Sequence, residues 1–107
     1  MWNYRKAKKL AQYWIDLVVD IEAKILEEET ITKSYGWVFF YQSRQFLETN
    51  DFGYMLAGNA PILIERINGE LKVFGTAHPI ENYLAEYEKD IPETILNMKP
   101  EFPPNNL

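Results

Sequence analysis

The chain has 107 residues, 47% of them hydrophobic and 15% aromatic, which suits one packed core and excludes a disordered chain. Sixteen acidic against eleven basic side chains leave a formal charge of −5, a poor balance for a protein that would neutralise nucleic-acid phosphates. The absence of cysteine excludes disulfide staples, thiolate catalysis and sulfur-ligated zinc, and fits a reducing, cytoplasmic setting.

The first twenty residues are basic enough to suggest the opening of a signal peptide. Gln12, Asp16 and Asp20 break what would have to be an unbroken apolar stretch, and nowhere do about 18 apolar residues run together. Neither a leader nor a membrane span is expected. Instead, residues 3–17 read as an amphipathic helix with Asn3 as its cap. Leu10, Tyr13, Trp14 and Leu17 form the apolar stripe, and Arg5, Lys6, Lys8, Lys9 and Gln12 the solvated face. Val18 to Ile25 suits either a longer helix or a strand; the preferred reading ends the helix near Asp20 and places a strand over 23–28. Glu27, Glu28 and Glu29 then make an acidic edge or turn.

Residues 35–42 (YGWVFFYQ) give the strongest strand signal, a short aromatic and β-branched run bounded by Gly36 and Ser43. Trp37, Phe39 and Tyr41 on one side and Val38 and Phe40 on the other are all apolar, so this strand is expected to be central and covered on both faces. Residues 44–61 lack a sustained period and read as a loop with a short helical turn at 54–56. Two runs, 62–67 and 70–74, flank Asn68-Gly69 and predict a hairpin with a two-residue type I′ turn. A second helix is expected from Pro79 to Lys89, with Thr76 or His78 as cap candidates and Ile80, Tyr83, Leu84 and Tyr87 as its apolar stripe. Residues 91–107, with four prolines, read as an extended tail docked by Ile95, Leu96 and Phe102.

Catalytic chemistry finds little support. His78 is the only histidine, and its place before Pro79 at a helix start favours packing or capping over proton transfer. No G-x-S-x-G frame surrounds Ser34 or Ser43. Gly53 and Gly58 have the spacing of phosphate-loop glycines but lack the Lys-Ser/Thr that must follow. The three glutamates at 27–29 alternate in direction on a strand and cannot converge on one metal ion. By elimination the residues describe a binding protein without cofactor or metal.

Three motifs carry a resemblance. Gly36-Trp37-Val38-Phe39-Phe40-Tyr41-Gln42-Ser43 with Phe46-Leu47-Glu48-Thr49 comes first. Leu56-Ala57-Gly58-Asn59-Ala60-Pro61 and Gly75-Thr76-Ala77-His78-Pro79-Ile80-Glu81 with Tyr83 follow. Together, over about residues 4 to 90, they resemble the immunity protein 35 family, also called YrhB-like. The resemblance implies a small α+β protein encoded beside a bacterial polymorphic toxin, hence an antidote that binds a cognate toxin. An acidic binder would also be steered towards a basic partner.

The resulting expectation is an α+β domain over 1–90, with a Pro-rich tail over 91–107. It comprises an N-terminal helix, an antiparallel sheet of about four strands and a second helix on one face. The function expected is toxin neutralisation by binding, without catalysis. The residues expected at the partner surface are Glu27, Glu28, Glu29, Asn50, Asp51 and Tyr54. The competing reading is a chaperone-like module that shields apolar segments of clients; a weaker one is an enzyme built on His78.

Overall fold

The structure, a computed structural model, describes residues 1–104. Helix α1 spans Tyr4–Val18, and Asn3 caps it by accepting the Lys6 amide at 2.8 Å. Its buried face is Tyr4, Ala7, Ala11 and Ile15, a spacing of three and four. That differs from the expected stripe. Leu10 and Trp14 pack only at the margin, and Tyr13 and Leu17 are 63% and 68% exposed. Two alanines on the inward face let the helix axis approach the sheet closely, so the small residues mark the contact and the large ones lie beside it.

Four strands, β2 (Ile31–Lys33), β3 (Gly36–Phe39), β5 (Ile62–Glu65) and β6 (Leu71–Val73), form an antiparallel sheet in the order β2-β3-β5-β6. A second sheet pairs β1 (Ala23–Ile25) with β4 (Tyr41–Ser43). The expected strand over 23–28 therefore stops at Ile25, and Glu27–Glu29 closes into a single 3-10 turn. The strand at 31–33 carries no strong sequence signal and was not expected. The run 35–42 divides at Phe40: β5 begins only at Ile62, opposite Phe39, so residues beyond it find their partner in β1. Side-chain alternation nevertheless continues. Trp37, Phe39 and Tyr41 join α1, Ile62 and Ile64 in the larger core cluster; Val38 and Phe40 join Leu63 and Leu84 in the smaller one.

β3 is thus covered on both faces, as its composition predicts, by α1 on one side and α3 (Ile80–Glu88) on the other. Gly36 is required at the start of β3, because a Cβ there would lie 2.2 Å from the Ile64 carbonyl oxygen. Pro79 itself occupies the N-cap of α3, and neither Thr76 nor His78 caps it with a side chain. The proline fixes the extended entry to the helix, and the first turn starts one residue later than expected.

The hairpin closes through four residues, not two. Glu65 N–H donates to Glu70 O and Gly69 N–H to Glu65 O, each at 2.9 Å. Among residues 66–69 only Gly69 has positive φ, at 72°. Asn68 contributes its side chain instead, with Oδ1 accepting the Glu70 amide at 2.9 Å. The Trp2 ring sits on Gly69, where a Cβ would clash with it at 2.1 Å.

Two connecting segments are more ordered than their sequence suggests. Residues 44–61 begin with helix α2 (Arg44–Thr49), which Ser43 caps through its hydroxyl, and continue with a 3-10 turn at Phe52–Tyr54. The expected turn at 54–56 lies two residues earlier, where Asp51 supplies the cap. The tail contains a short helix α4 (Glu93–Leu96) and docks by polar contacts in place of the expected apolar ones. Phe102 is 68% exposed and Leu96 lies at the surface; Ile95 alone of the three is half-buried. Instead, the buried Trp37 donates its indole N–H to Glu101 O at 2.8 Å. The Glu101 carboxylate accepts the Tyr4 amide at 2.9 Å, and Arg66 Nη1 donates to Lys99 O at 2.7 Å. The indole would otherwise be a buried donor without a partner, which explains why this particular stretch is held. The last three residues of the expected tail, 105–107, lie outside the described residues.

Candidate partner-binding site

The six residues expected at the partner surface fall in two separate places. Glu27, Glu28 and Glu29 sit in the 3-10 turn beside α1. Lys8 forms an ion pair with Glu27, and the Tyr4 hydroxyl donates to the same carboxylate at 3.3 Å. The hydrogen bond from Lys8 holds the Glu27 carboxyl below its ordinary value, while burial raises the Tyr4 phenol and Glu27 raises it further. Part of the acidity of this turn is therefore cancelled internally. Glu28 and Glu29 stay exposed and make no ion pair among the described residues.

Asn50, Asp51 and Tyr54 lie in the segment that follows β4. Asn50 ends α2 in the left-handed region at φ 58°, a conformation that asparagine tolerates better than most residues. Asp51 Oδ1 accepts the Gly53 amide at 2.9 Å and starts the 3-10 turn. Tyr54 faces outward and lines an open groove of about 460 Å³ together with Ile21, Glu22, Arg44, Glu48 and Met55. Two of the three predicted residues thus shape the backbone, and one presents surface.

Gln42 and Asn59 stand in the motifs that carry the resemblance, but nothing in the sequence marks them, or Arg44, as what holds this segment. The Gln42 side chain acts as a peptide group: its Oε1 accepts from Leu56 N at 2.6 Å and its Nε2 donates to Leu56 O at 3.3 Å. Asn59 donates its side-chain amide to Tyr41 O, beyond the end of β5. Arg44 spans the groove floor, donating from Nη1 to Glu22 at 2.6 Å and from Nε to Glu48 at 2.9 Å. These two carboxylates, Glu22 first, push its guanidinium above the ordinary arginine value. On the opposite edge, Gln12 closes β1, donating to Ala23 O at 2.9 Å and accepting from Ile25 N at 3.4 Å. A glutamine next to a strand end carries no distinguishing sequence signal.

On this rigid frame stand apolar side chains that the fold leaves uncovered. Phe52 is 77% exposed; Ile21, Leu47, Tyr54 and Met55 are each a little under half exposed. The sequence did contain a signal, since Phe52-Gly53-Tyr54-Met55 is an aromatic run inside a segment with no amphipathic period to bury it. By contrast, His78 stands exposed before α3 with its ring 6.0 Å from that of Tyr83. Among the described residues no three His, Asp or Glu side chains gather as a metal site would need, and no helix is long and apolar enough to cross a membrane.

Known proteins bear on this arrangement. Uncharacterized protein YrhB of Escherichia coli (strain K12) is 51% identical over 88 residues, which cover 82% of this chain and 90% of that protein. No solved structure matches the chain. The family described as immunity protein 35 matches residues 5–90, from α1 through α3, and the chain belongs to that family.

Proposed function

We propose that this protein is an immunity protein that binds a cognate bacterial toxin and neutralises it by occluding the toxin's working surface, without chemistry of its own. The observation that carries the reading is the family match over residues 5–90. The geometry supports it in a second way. A neutralising binder needs a stable scaffold and an exposed, preorganised surface, and the chain has both in its two-faced core and its tethered segment after β4. Its partner is a protein; nucleic acid, membrane and cofactor have no part in the reading.

The test starts from the adjacent upstream gene, which this reading expects to encode a long secreted toxin, and co-expresses that protein's C-terminal domain with this chain in bacteria. Cells are expected to survive only when this chain is present, and the two purified proteins to form a stoichiometric complex. His78→Ala is expected to protect as well as the wild type; loss of protection with the complex intact would reveal an enzyme. Exposed Phe52, Tyr54 and Met55 also favour a chaperone-like module. That reading gains if the chain prevents aggregation of several unrelated unfolded proteins and forms no complex with the toxin domain.

A further inference from the structure

We infer that the toxin is gripped in the groove between α2 and the 3-10 turn, and that the segment it inserts carries a lysine or arginine flanked by apolar residues. This rests on the antidote reading and adds the surface and the partner's chemistry.

Three independent features converge on this groove. The first is uncovered apolar area in one stretch of chain. Ile21, Tyr54 and Met55 line the groove, and Phe52, 77% exposed, stands next to it in the same 3-10 turn as Tyr54. Large aromatic side chains that project from a surface are the residue types that dominate binding energy in protein interfaces. The second is rigidity. Gln42 clamps Leu56 at both its amide and its carbonyl, Asp51 caps the turn, and the Phe46 and Phe52 rings pack at 5.6 Å. Side chains held in this way lose little freedom on binding.

The third feature is charge, and it selects the occupant. Glu22 and Glu48 are two carboxylates on a single guanidinium, Arg44, which leaves the groove with a net negative charge. The side chains of Glu22 and Glu48 are 65% and 60% exposed, so each keeps acceptor capacity for an incoming donor. In a chain whose charge is already −5, this groove favours a cationic side chain and rejects an acidic one. The turn at 27–29 has charge in Glu28 and Glu29 but consists of glutamates alone, so it offers no apolar side chain beside that charge.

The experiment measures binding of the toxin domain, against which the wild type has been shown to protect, by surface-capture kinetics at low and high salt. The double variant Phe52→Ser/Tyr54→Ser is expected to weaken the complex by roughly tenfold or more, mainly through faster dissociation. Phe52→Ser also removes the ring contact with Phe46. Tyr54→Ser alone, at a residue in no ring pair among the described residues, is therefore the variant expected to weaken binding with the melting temperature unchanged. Tyr54→Phe keeps the ring and should bind nearly normally. Glu22→Gln/Glu48→Gln is expected to slow association and flatten its salt dependence. Glu28→Gln/Glu29→Gln should change neither rate. The inference is overturned if the groove variants bind like the wild type, if only the 28/29 variant weakens binding, or if salt has no effect on wild-type association. It is also overturned if the groove proves to join two copies of this chain, seen as a concentration-dependent dimer that Phe52→Ser abolishes. If the wild type neither binds nor protects, the antidote reading itself fails and the groove assignment falls with it.

Discussion

The segment over residues 44–58 and the tail over 97–104 are held alike and serve different ends. Both lie outside the sheets, both are tethered to the body by hydrogen bonds between side chains and backbone, and both leave a phenylalanine in solvent. In the tail the tether reaches the heart of the core, because the bonded group is the indole of fully buried Trp37. In the 44–58 segment the tether ends at Gln42, buried in β4 outside the four-stranded sheet, and what it stabilises is a display of Phe52, Tyr54 and Met55. One kind of bond therefore serves two ends. Where it satisfies a buried donor it contributes to stability; where it fixes an exposed aromatic run it prepares a surface.

The largest effect expected from this contrast is in the tail. Ending the chain at Asn97 removes the acceptors of Trp37 Nε1 and Tyr4 N–H and the carbonyl that anchors Arg66. Leaving buried donors without partners costs about 2–4 kcal/mol in total, a large share of a domain's stability. Urea unfolding should show the loss as an earlier midpoint, although residues 98–107 lie beyond the family match. Glu101→Ala sharpens the test. It keeps the carbonyl that takes the indole and removes only the carboxylate on the Tyr4 amide, a long-range cap of α1 worth about 1 kcal/mol. Equal losses in the two variants would mean that the indole bond contributes nothing.

Gln42→Ala probes the other region. It strands the Leu56 amide and carbonyl and should cost about 1–3 kcal/mol. Hydrogen exchange at Leu56 and Met55 should speed up far more than in the core strands. The contrast predicts a crossed pattern: the truncated tail lowers stability more than toxin affinity, and Gln42→Ala does the reverse. A variant that moved both quantities in proportion would erase the distinction.

Much of this architecture was legible in the sequence, and the failures have one physical origin. β3, its burial on both faces and the presence of a hairpin follow from short-range composition, because a run such as Trp37-Val38-Phe39 has nowhere to go but inside. What could not be read are choices settled by distant partners. The inward face of α1 was misassigned because Ala7 and Ala11 look neutral until a sheet is placed against them. The hairpin loop is longer than Asn68-Gly69 suggests because Trp2 claims the space above Gly69 and Arg66 bonds to Tyr35 and Lys99. The groove was half legible. Tyr54 is among the expected surface residues and Met55 is not, and the motifs that contain Gln42 and Leu56 give no sign that the two bond across 14 residues.

The smallest expected effect lies between the two regions and should stabilise the chain. Glu65 stands opposite Glu70 across the hairpin, one residue before the tail's anchor Arg66. Burial raises its carboxyl above the ordinary glutamate value and the Glu70 charge raises it further, while Asn68 and Lys72 oppose the shift. A carboxyl whose value is raised in the folded state favours folding fully at pH below its unfolded value of about 4.3, and that favour is lost as pH rises through the folded value. At neutral pH the ionised Glu65 is therefore a net cost. Glu65→Gln removes the like-charge pair and should stabilise the protein by about 0.2–1 kcal/mol at pH 7. Below about pH 4 the two proteins should unfold at the same urea concentration. Because Glu65 touches neither the groove nor the exposed aromatic run, toxin affinity should be unchanged. A gain that persisted at low pH would assign the effect to side-chain packing; a gain accompanied by altered affinity would place the hairpin end within the partner's reach.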